Sequence, residues 1–202
     1  MITVIDYGMG NIASVLKMIR WIGGEAALAA APDEVKKAKK LILPGVGAFD
    51  AGITALRQSG LDLAIAEAVK QNGSMILGIC LGMQLLLESS EEGSLSGLAL
   101  VPGRVRRFQT EGQELPVPHM GWNAVRAIRE CVLFGPGTEP QRYYFVHSYF
   151  AECADPADVT GLTYYGRDFT SAFERGRVLG TQFHPEKSHR FGMALLKRFV
   201  AA

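Results

Sequence analysis

The sequence predicts an α/β protein, with a central, mostly parallel sheet flanked by helices and an antiparallel extension in the C-terminal half. Three observations predict it. Between Ile2 and Cys80, short apolar runs alternate with stretches of helical periodicity, the β-α-β-α-β rhythm that gives right-handed crossovers and a parallel sheet covered on both faces. From Val101 onward, short runs of alternating apolar and polar residues are separated by turn residues, the pattern of paired antiparallel strands. The 202 residues suffice for one well-buried core, so residues 1–202 are expected to form a single domain.

Ile2 to Ile5 read as the first strand and Tyr7-Gly8-Met9-Gly10-Asn11 as a tight turn with Asn11 as N-cap. Ile12, Val15, Leu16, Ile19 and Ile22 then recur at helical spacing until Gly23-Gly24 stop the helix. Gly8-x-Gly10-x-x-Ala13 has the outline of a dinucleotide-binding turn, but no acidic residue clearly ends a second strand, as that use requires. Pro32, Asp33 and Glu34 start a short helix, in which Lys36, Lys37, Lys39 and Lys40 read as a solvated face. Leu41-Ile42-Leu43 is the next buried strand and runs into Pro44-Gly45-Val46-Gly47-Ala48-Phe49. Helices are expected over residues 50–59 and 62–71, before Asn72-Gly73 turns the chain into a strand ending at Cys80. A helix over 83–88 and a polar loop over 89–94 come next. Strands are expected over 104–108, 142–150, 162–165, 170–174 and 178–183, and Phe191, Leu195, Leu196 and Phe199 mark a closing amphipathic helix. Arg104, Arg106 and Arg107 read as an exposed strand face.

The stretch Gly78-Ile79-Cys80-Leu81-Gly82-Met83-Gln84 carries chemistry. An apolar run buried on both faces leads to a turn flanked by glycines and then a helix, which is the logic of a nucleophile elbow. A thiol there sits at a helix N-terminus, where unpaired N–H groups favour the thiolate. The plainer explanation of the same residue is a buried core cysteine. In Gln182-Phe183-His184-Pro185-Glu186, His184 stands at a strand end, and an extended backbone would project His184 and Glu186 the same way. The carboxylate then reaches one imidazole nitrogen and leaves the other for the thiol, giving nucleophile, base and orienter in Cys80, His184 and Glu186. Gly45-Val46-Gly47 is explained either as a plain strand-to-helix turn or as the wall of an oxyanion hole. Pro118-His119-Met120-Gly121-Trp122-Asn123 reads as a proline-bounded loop, its Trp122 either a core residue or an anchor for a partner.

Composition excludes several classes. The net charge of +1 gives no signature of a nucleic-acid or acidic-membrane binder. Three cysteines without a CxxC pair, a start that runs straight into an apolar strand, and the lack of an apolar run of about 20 residues predict a reducing cytoplasm. His119, His147, His184 and His189 lack metal-ligand spacing, so neither metal nor other cofactor is expected.

The Cys80 and His184-Pro185-Glu186 motifs together resemble the class I, triad-type glutamine amidotransferases. With Ile5 to Asn11, Leu43 to Phe49, Pro118 to Asn123, Tyr144 to Tyr149 and Gly180 to Ser188, the whole chain resembles the glutaminase subunits of imidazole glycerol phosphate synthases. The resemblance implies the flavodoxin-like fold of that family and hydrolysis of L-glutamine to glutamate and ammonia. It also implies a heterodimer with a separate (β/α)8-barrel cyclase, which uses the ammonia in histidine biosynthesis. Carried onto this sequence, it implies an oxyanion hole from the N–H of Leu81 with one from Gly45-Val46-Gly47, in Val46 or Gly47. It implies a substrate pocket of Gly45, Gln84, Glu92, His147, Ser148 and Tyr149, with Glu91 standing beside Glu92. Asn11, Met120, Trp122, Tyr144 and Lys187 are implied to face the cyclase. A stand-alone cysteine hydrolase of γ-glutamyl amides and a non-catalytic binding module remain as other readings of the residues.

Overall fold

Apolar residues two apart along each strand divide the core between two faces of one sheet. In the computed structural model, which describes residues 1–109, 115–135 and 139–202, the first half of the chain runs β1 (Ile2–Ile5), α1 (Ile12–Trp21), β2 (Ala26–Ala29), α2 (Pro32–Lys37), β3 (Lys40–Gly45), α3 (Phe49–Gln58), α4 (Leu61–Lys70) and β4 (Met75–Cys80). Leu41 and Leu43 of β3 and Ile76 of β4 pack on one face with Val35, Ile53, Leu56, Leu61 and Ile65 from α2, α3 and α4. Ile42, Leu77 and Ile79 point the other way, against Val15 and Ile19 of α1. Each such buried side chain contributes about 1.5–3 kcal/mol, so a one-residue slip of register would be costly.

The chain continues through α5 (Leu81–Leu85), β5 (Ser89–Ser90), β6 (Gly103–Arg107), β7 (His119–Ala127), β8 (Gln141–His147), β9 (Tyr149–Cys153), β10 (Val159–Tyr164), β11 (Asp168–Arg175), β12 (Val178–Thr181) and α6 (His189–Ala201). The main sheet path is β2-β1-β3-β4-β12-β11-β10-β7-β8. Its first four strands and β12 are parallel, and the ladders from β12 to β8 are antiparallel, as expected for the C-terminal half. Leu195, Leu196 and Phe199 of α6 close the α1 face. Among the described residues no helix is long and apolar enough to cross a membrane.

Five local expectations are corrected. The helix after Cys80 stops at Leu85 rather than residue 88, because the chain returns over it. The carbonyls of Leu85, Leu86 and Leu87 accept N–H groups from Leu98, Leu100, Val101 and Ala99 instead of from a further turn. The strand expected over 142–150 breaks at Ser148 into β8, paired with β7, and β9, paired with β6 and β11. The segment from His119 to Asn123 is no loop but the start of β7, in register His119↔His147 and Trp122↔Tyr144. Lys40 is not simply solvated: its Nζ donates to the carbonyl of Val200 at 2.7 Å, near the C-terminal end of α6, where helix carbonyls lack partners. Asn11 occupies the N-cap position of α1 but its side chain makes no capping bond.

Candidate active site

Register places three strand ends around one crevice. Gly45 of β3 lies beside Cys80 of β4, and Thr181 of β12 beside Ile79. Cys80 has φ 54° and ψ −111°, a conformation that costs an L-residue about 1–3 kcal/mol and holds the side chain up at the sheet edge. The flanking glycines are steric requirements. A Cβ on Gly78 would lie 2.6 Å from the carbonyl oxygen of Gly82, and one on Gly82 would collide with the carbonyl of Leu43.

The resulting cavity, about 310 Å³, is lined by Val46, Gly47, Cys80, Leu81, Gln84, Glu92, Pro118, Val146, His147, Ser148, Tyr149 and His184. Nearly all the residues expected around a substrate are therefore on one wall or another. Gly45 is the exception: its α-carbon is packed beneath, with the Tyr7 hydroxyl 2.6 Å and the Gly82 nitrogen 2.8 Å from where a Cβ would stand. Tyr7 donates to the carbonyl of Pro44 at 2.8 Å, and burial raises its pKa well above 10, so that donor stays protonated.

His184 Nδ1 lies 2.8 Å from Glu186 Oε1, both residues being buried. The sequence route to this contact was an extended chain, but a 3-10 turn over Pro185–Lys187 makes it, with only His184 itself extended. The fixed φ of proline suits the first position of such a turn. Ser188 Oγ donates to the carbonyl of His184 at 2.6 Å and accepts from Tyr144 N–H at 3.0 Å, while His184 N–H donates to the carbonyl of Tyr144 at 2.9 Å. His184 is thus clamped to β8. Among the described residues His184 Nε2 has no hydrogen bond of standard geometry. Burial alone would push this imidazole down, but hydrogen bonding and charge interaction with Cys80 and Glu186 outweigh it and raise the pKa to about 10. That direction favours the imidazolium form of His184.

Glu92 faces the cavity with Oε2 accepting from Phe49 N–H at 2.9 Å. Glu91 is turned away, bound to Arg106 Nε at 2.7 Å and Arg107 N–H at 2.8 Å. Arg106 is accordingly less exposed than the reading of 104, 106 and 107 as one solvated face expected. Gln84 uses both amide protons internally, on the carbonyl of Tyr149 at 3.1 Å and on Gln182 Oε1 at 3.0 Å.

At the surface beside the crevice, Trp122 packs edge-on to Tyr144 at 6.3 Å and stacks on His189 at 5.4 Å. Lys187 Nζ stands 5.6 Å over the Tyr144 ring. Met120 is 63% and Trp122 39% exposed, and Trp122 belongs to neither core cluster, which removes the core reading of this side chain. Asn11 sits half-buried on the turn before α1.

Residues 3–202 match the family Glutamine amidotransferase class-I. The chain belongs to the class I glutamine amidotransferases. Among curated relatives it is 46% identical over 200 residues to the imidazole glycerol phosphate synthase subunit HisH 2 of Methanococcus maripaludis, covering 99% of this chain and 98% of that one. It is 48% identical, at the same coverage, to the HisH 2 subunit of Pseudomonas aeruginosa, so it falls within the HisH branch of the amidotransferases. Among solved structures, PurLQS from Thermotoga maritima superposes with a TM-score of 0.76 at 18% identity, over 99% of this chain and 97% of that one, a likeness of fold.

Sequence reasoning missed three parts of this amidotransferase's site. Gln182 is fully buried with Nε2 3.8 Å from Cys80 Sγ. The signal available was an amide side chain inside the predicted strand Val178 to Phe183. His119 and Asn123 stand behind the wall residue His147: Asn123 Nδ2 contacts His119 Nε2 at 3.2 Å, His119 Nδ1 contacts His147 Nε2 at 3.0 Å, and His147 Nδ1 contacts the carbonyl of Tyr149 at 2.7 Å. Because the amide nitrogen only donates and the carbonyl only accepts, both imidazoles are neutral with the proton on Nδ1. Tyr7 is the third, and its signal was an aromatic hydroxyl in the turn preceding α1.

Proposed function

We propose that this chain hydrolyses L-glutamine through a thioester on Cys80 and passes the ammonia to a separate (β/α)8-barrel cyclase, as the glutaminase subunit of imidazole glycerol phosphate synthase. The observation that carries the reading is that Cys80 and His184 line one cavity of a size suited to a small ligand, with Glu186 held behind His184 at 2.8 Å. The Cys80 thiolate attacks the side-chain amide carbon, forming a C–S bond and an oxyanion received by the N–H of Leu81 and one from Val46 or Gly47. As the C–N bond breaks, the His184 imidazolium gives its proton to the departing ammonia. Water, deprotonated by His184, then attacks the thioester; the C–S bond breaks, sulfur leaves as thiolate, and glutamate forms.

Glu92, fixed by Phe49 N–H, receives the substrate's ammonium, a role closed to Glu91 by its pairing with Arg106. Gln84 offers its carbonyl oxygen, since both its protons are taken, and Ser148 and Tyr149 line the same pocket with neutral His147. Gly45 acts as packing under the oxyanion loop rather than as a substrate contact. Met120, Trp122, Tyr144, Lys187 and Asn11 face the cyclase, and the exposed aromatic group beside the crevice favours this over a stand-alone hydrolase, which needs no docking surface.

The test is Cys80→Ala in the reconstituted complex. Glutamine-dependent synthesis is lost while synthesis from supplied ammonia persists, because the second reaction belongs to the cyclase. Glutamine turnover by the folded variant removes the assignment.

A further inference from the structure

We infer that Gln182 is a hydrogen-bond donor to the Cys80 thiolate, with its amide held in the donating orientation by a chain of fixed polarity that begins at the backbone carbonyl of Tyr149. The inference rests on Cys80 being the nucleophile.

The polarity follows from what each group can do. The Tyr149 carbonyl only accepts, so the Gln84 atom 3.1 Å from it is the amide nitrogen. That nitrogen's second proton points to Gln182 at 3.0 Å, so the Gln182 atom there is the acceptor Oε1. The other end of the Gln182 amide, the donor Nε2, is thereby directed at Cys80 Sγ, 3.8 Å away. A flip of the Gln182 amide would set two nitrogen donors against each other and turn an oxygen lone pair toward the sulfur, on a side chain that is itself fully buried. The carbonyl at the head of the chain is saturated, since His147 Nδ1 also donates to it at 2.7 Å.

The thiolate therefore has two stabilising neighbours of different kinds. His184 supplies charge and moves a proton during turnover. Gln182 supplies a dipole that stays in place throughout, adds no net charge to repel a substrate ammonium, and stabilises the sulfur each time it is released as thiolate. The titratable groups that bear on the sulfur are His184, with Glu186 behind it, Tyr7 under the neighbouring loop, and Glu92 and neutral His147 on the cavity wall.

The experiment is the pH dependence of iodoacetamide alkylation at Cys80 in the full chain, read by peptide mass spectrometry. Cys131 and Cys153 serve as internal references, their thiols pushed up by burial, that of Cys153 to about 12. Gln182→Met removes the donor at similar volume and leaves about tenfold less thiolate at a fixed pH below the titration. Gln182→Glu keeps an acceptor for Gln84 but sets a carboxylate beside the sulfur, and shifts the titration further in the same direction. Glutaminase activity falls in step, and the deficit narrows as the pH rises, which a general loss of structure would not produce. Should the variants not fold, the side-chain amide resonances of Gln182 in the wild-type chain decide: they move as Cys80 titrates. Folded variants with the wild-type alkylation profile, or amide resonances indifferent to that titration, overturn the inference. Glutamine turnover by Cys80→Ala would instead overturn the nucleophile assignment on which it rests.

Discussion

His119 and His147 show how burial turns titratable side chains into fixed donors and acceptors. Burial pushes His119 down to about 4 and His147 down to about 3, and the bonds from Asn123 to Tyr149 need both rings neutral. Unfolded histidine takes up its proton near pH 6.5, so between that pH and the folded values the unfolded chain binds more protons. Stability from this pair is fully present above about pH 6.5 and is lost as the pH falls toward 4 and 3. The melting midpoint is thus expected to drop below pH 6.5 and to drop less steeply in His147→Gln; the same acid limb in both proteins would clear the pair of responsibility. His184 has the opposite sign, since its raised pKa contributes stability below the unfolded value that is lost as the pH climbs toward 10. Its partner gives a kinetic prediction. His184→Ala removes the proton carrier and loses about 10² to 10⁴ in kcat, whereas Glu186→Gln, which disturbs only tautomer and alignment, loses less. Wild-type kcat in Glu186→Gln would make the carboxylate a bystander.

At the scale of elements, the paired edge of β7 and β8 joins a surface to the site. Its outward side presents Met120, Trp122 and Tyr144, while His119, Phe145 and His147 on the other side pack inward. Period-two alternation therefore gives one strand pair both an exposed aromatic face and a pocket wall. Trp122→Ala is expected to weaken association with the cyclase by about 2 kcal/mol or more, a thirtyfold rise in Kd, with little change in the melting of the isolated chain. An unchanged Kd beside a large fall in the midpoint would return Trp122 to a structural role. The chemistry of these residues was legible in Pro118 to Asn123, but their strand was not, because the prolines marked a boundary and Gly121 interrupted the alternation. The break at Ser148 was equally hidden. Residues 142–150 are apolar and aromatic throughout, and the competition between β7 on one side and β6 and β11 on the other divides them.

Over the whole molecule, the sheet supplies a rigid floor and the loop after β3 a wall that is fixed only at its root. Tyr7 holds the Pro44 carbonyl and Gly45 is packed against Gly82, but Val46 is 44% exposed and Gly47 has φ +113°, a region open to glycine. The expectation that follows is that a partner seated beside this loop selects the peptide orientation that completes the proposed oxyanion hole. One absent donor lowers the rate by about 10² to 10³, so the free chain is expected to turn over glutamine that much more slowly than the complex carrying the cyclase's own ligand. Glutamate formation at saturating glutamine in both states checks this, and equal rates would leave the glycines as a plain turn. The sequence by itself determined the layered α/β architecture, the elbow at Cys80 and the His184-Pro185-Glu186 group, because hydrophobic period, glycine placement and a strand end are local properties. Only the tertiary structure decided that the amide of Gln182 faces the sulfur, that Glu92 rather than Glu91 faces the cavity, and that α5 ends after Leu85. Each of those outcomes depends on which distant donor or acceptor satisfies a polar group once water has been excluded, and no local pattern encodes that partner.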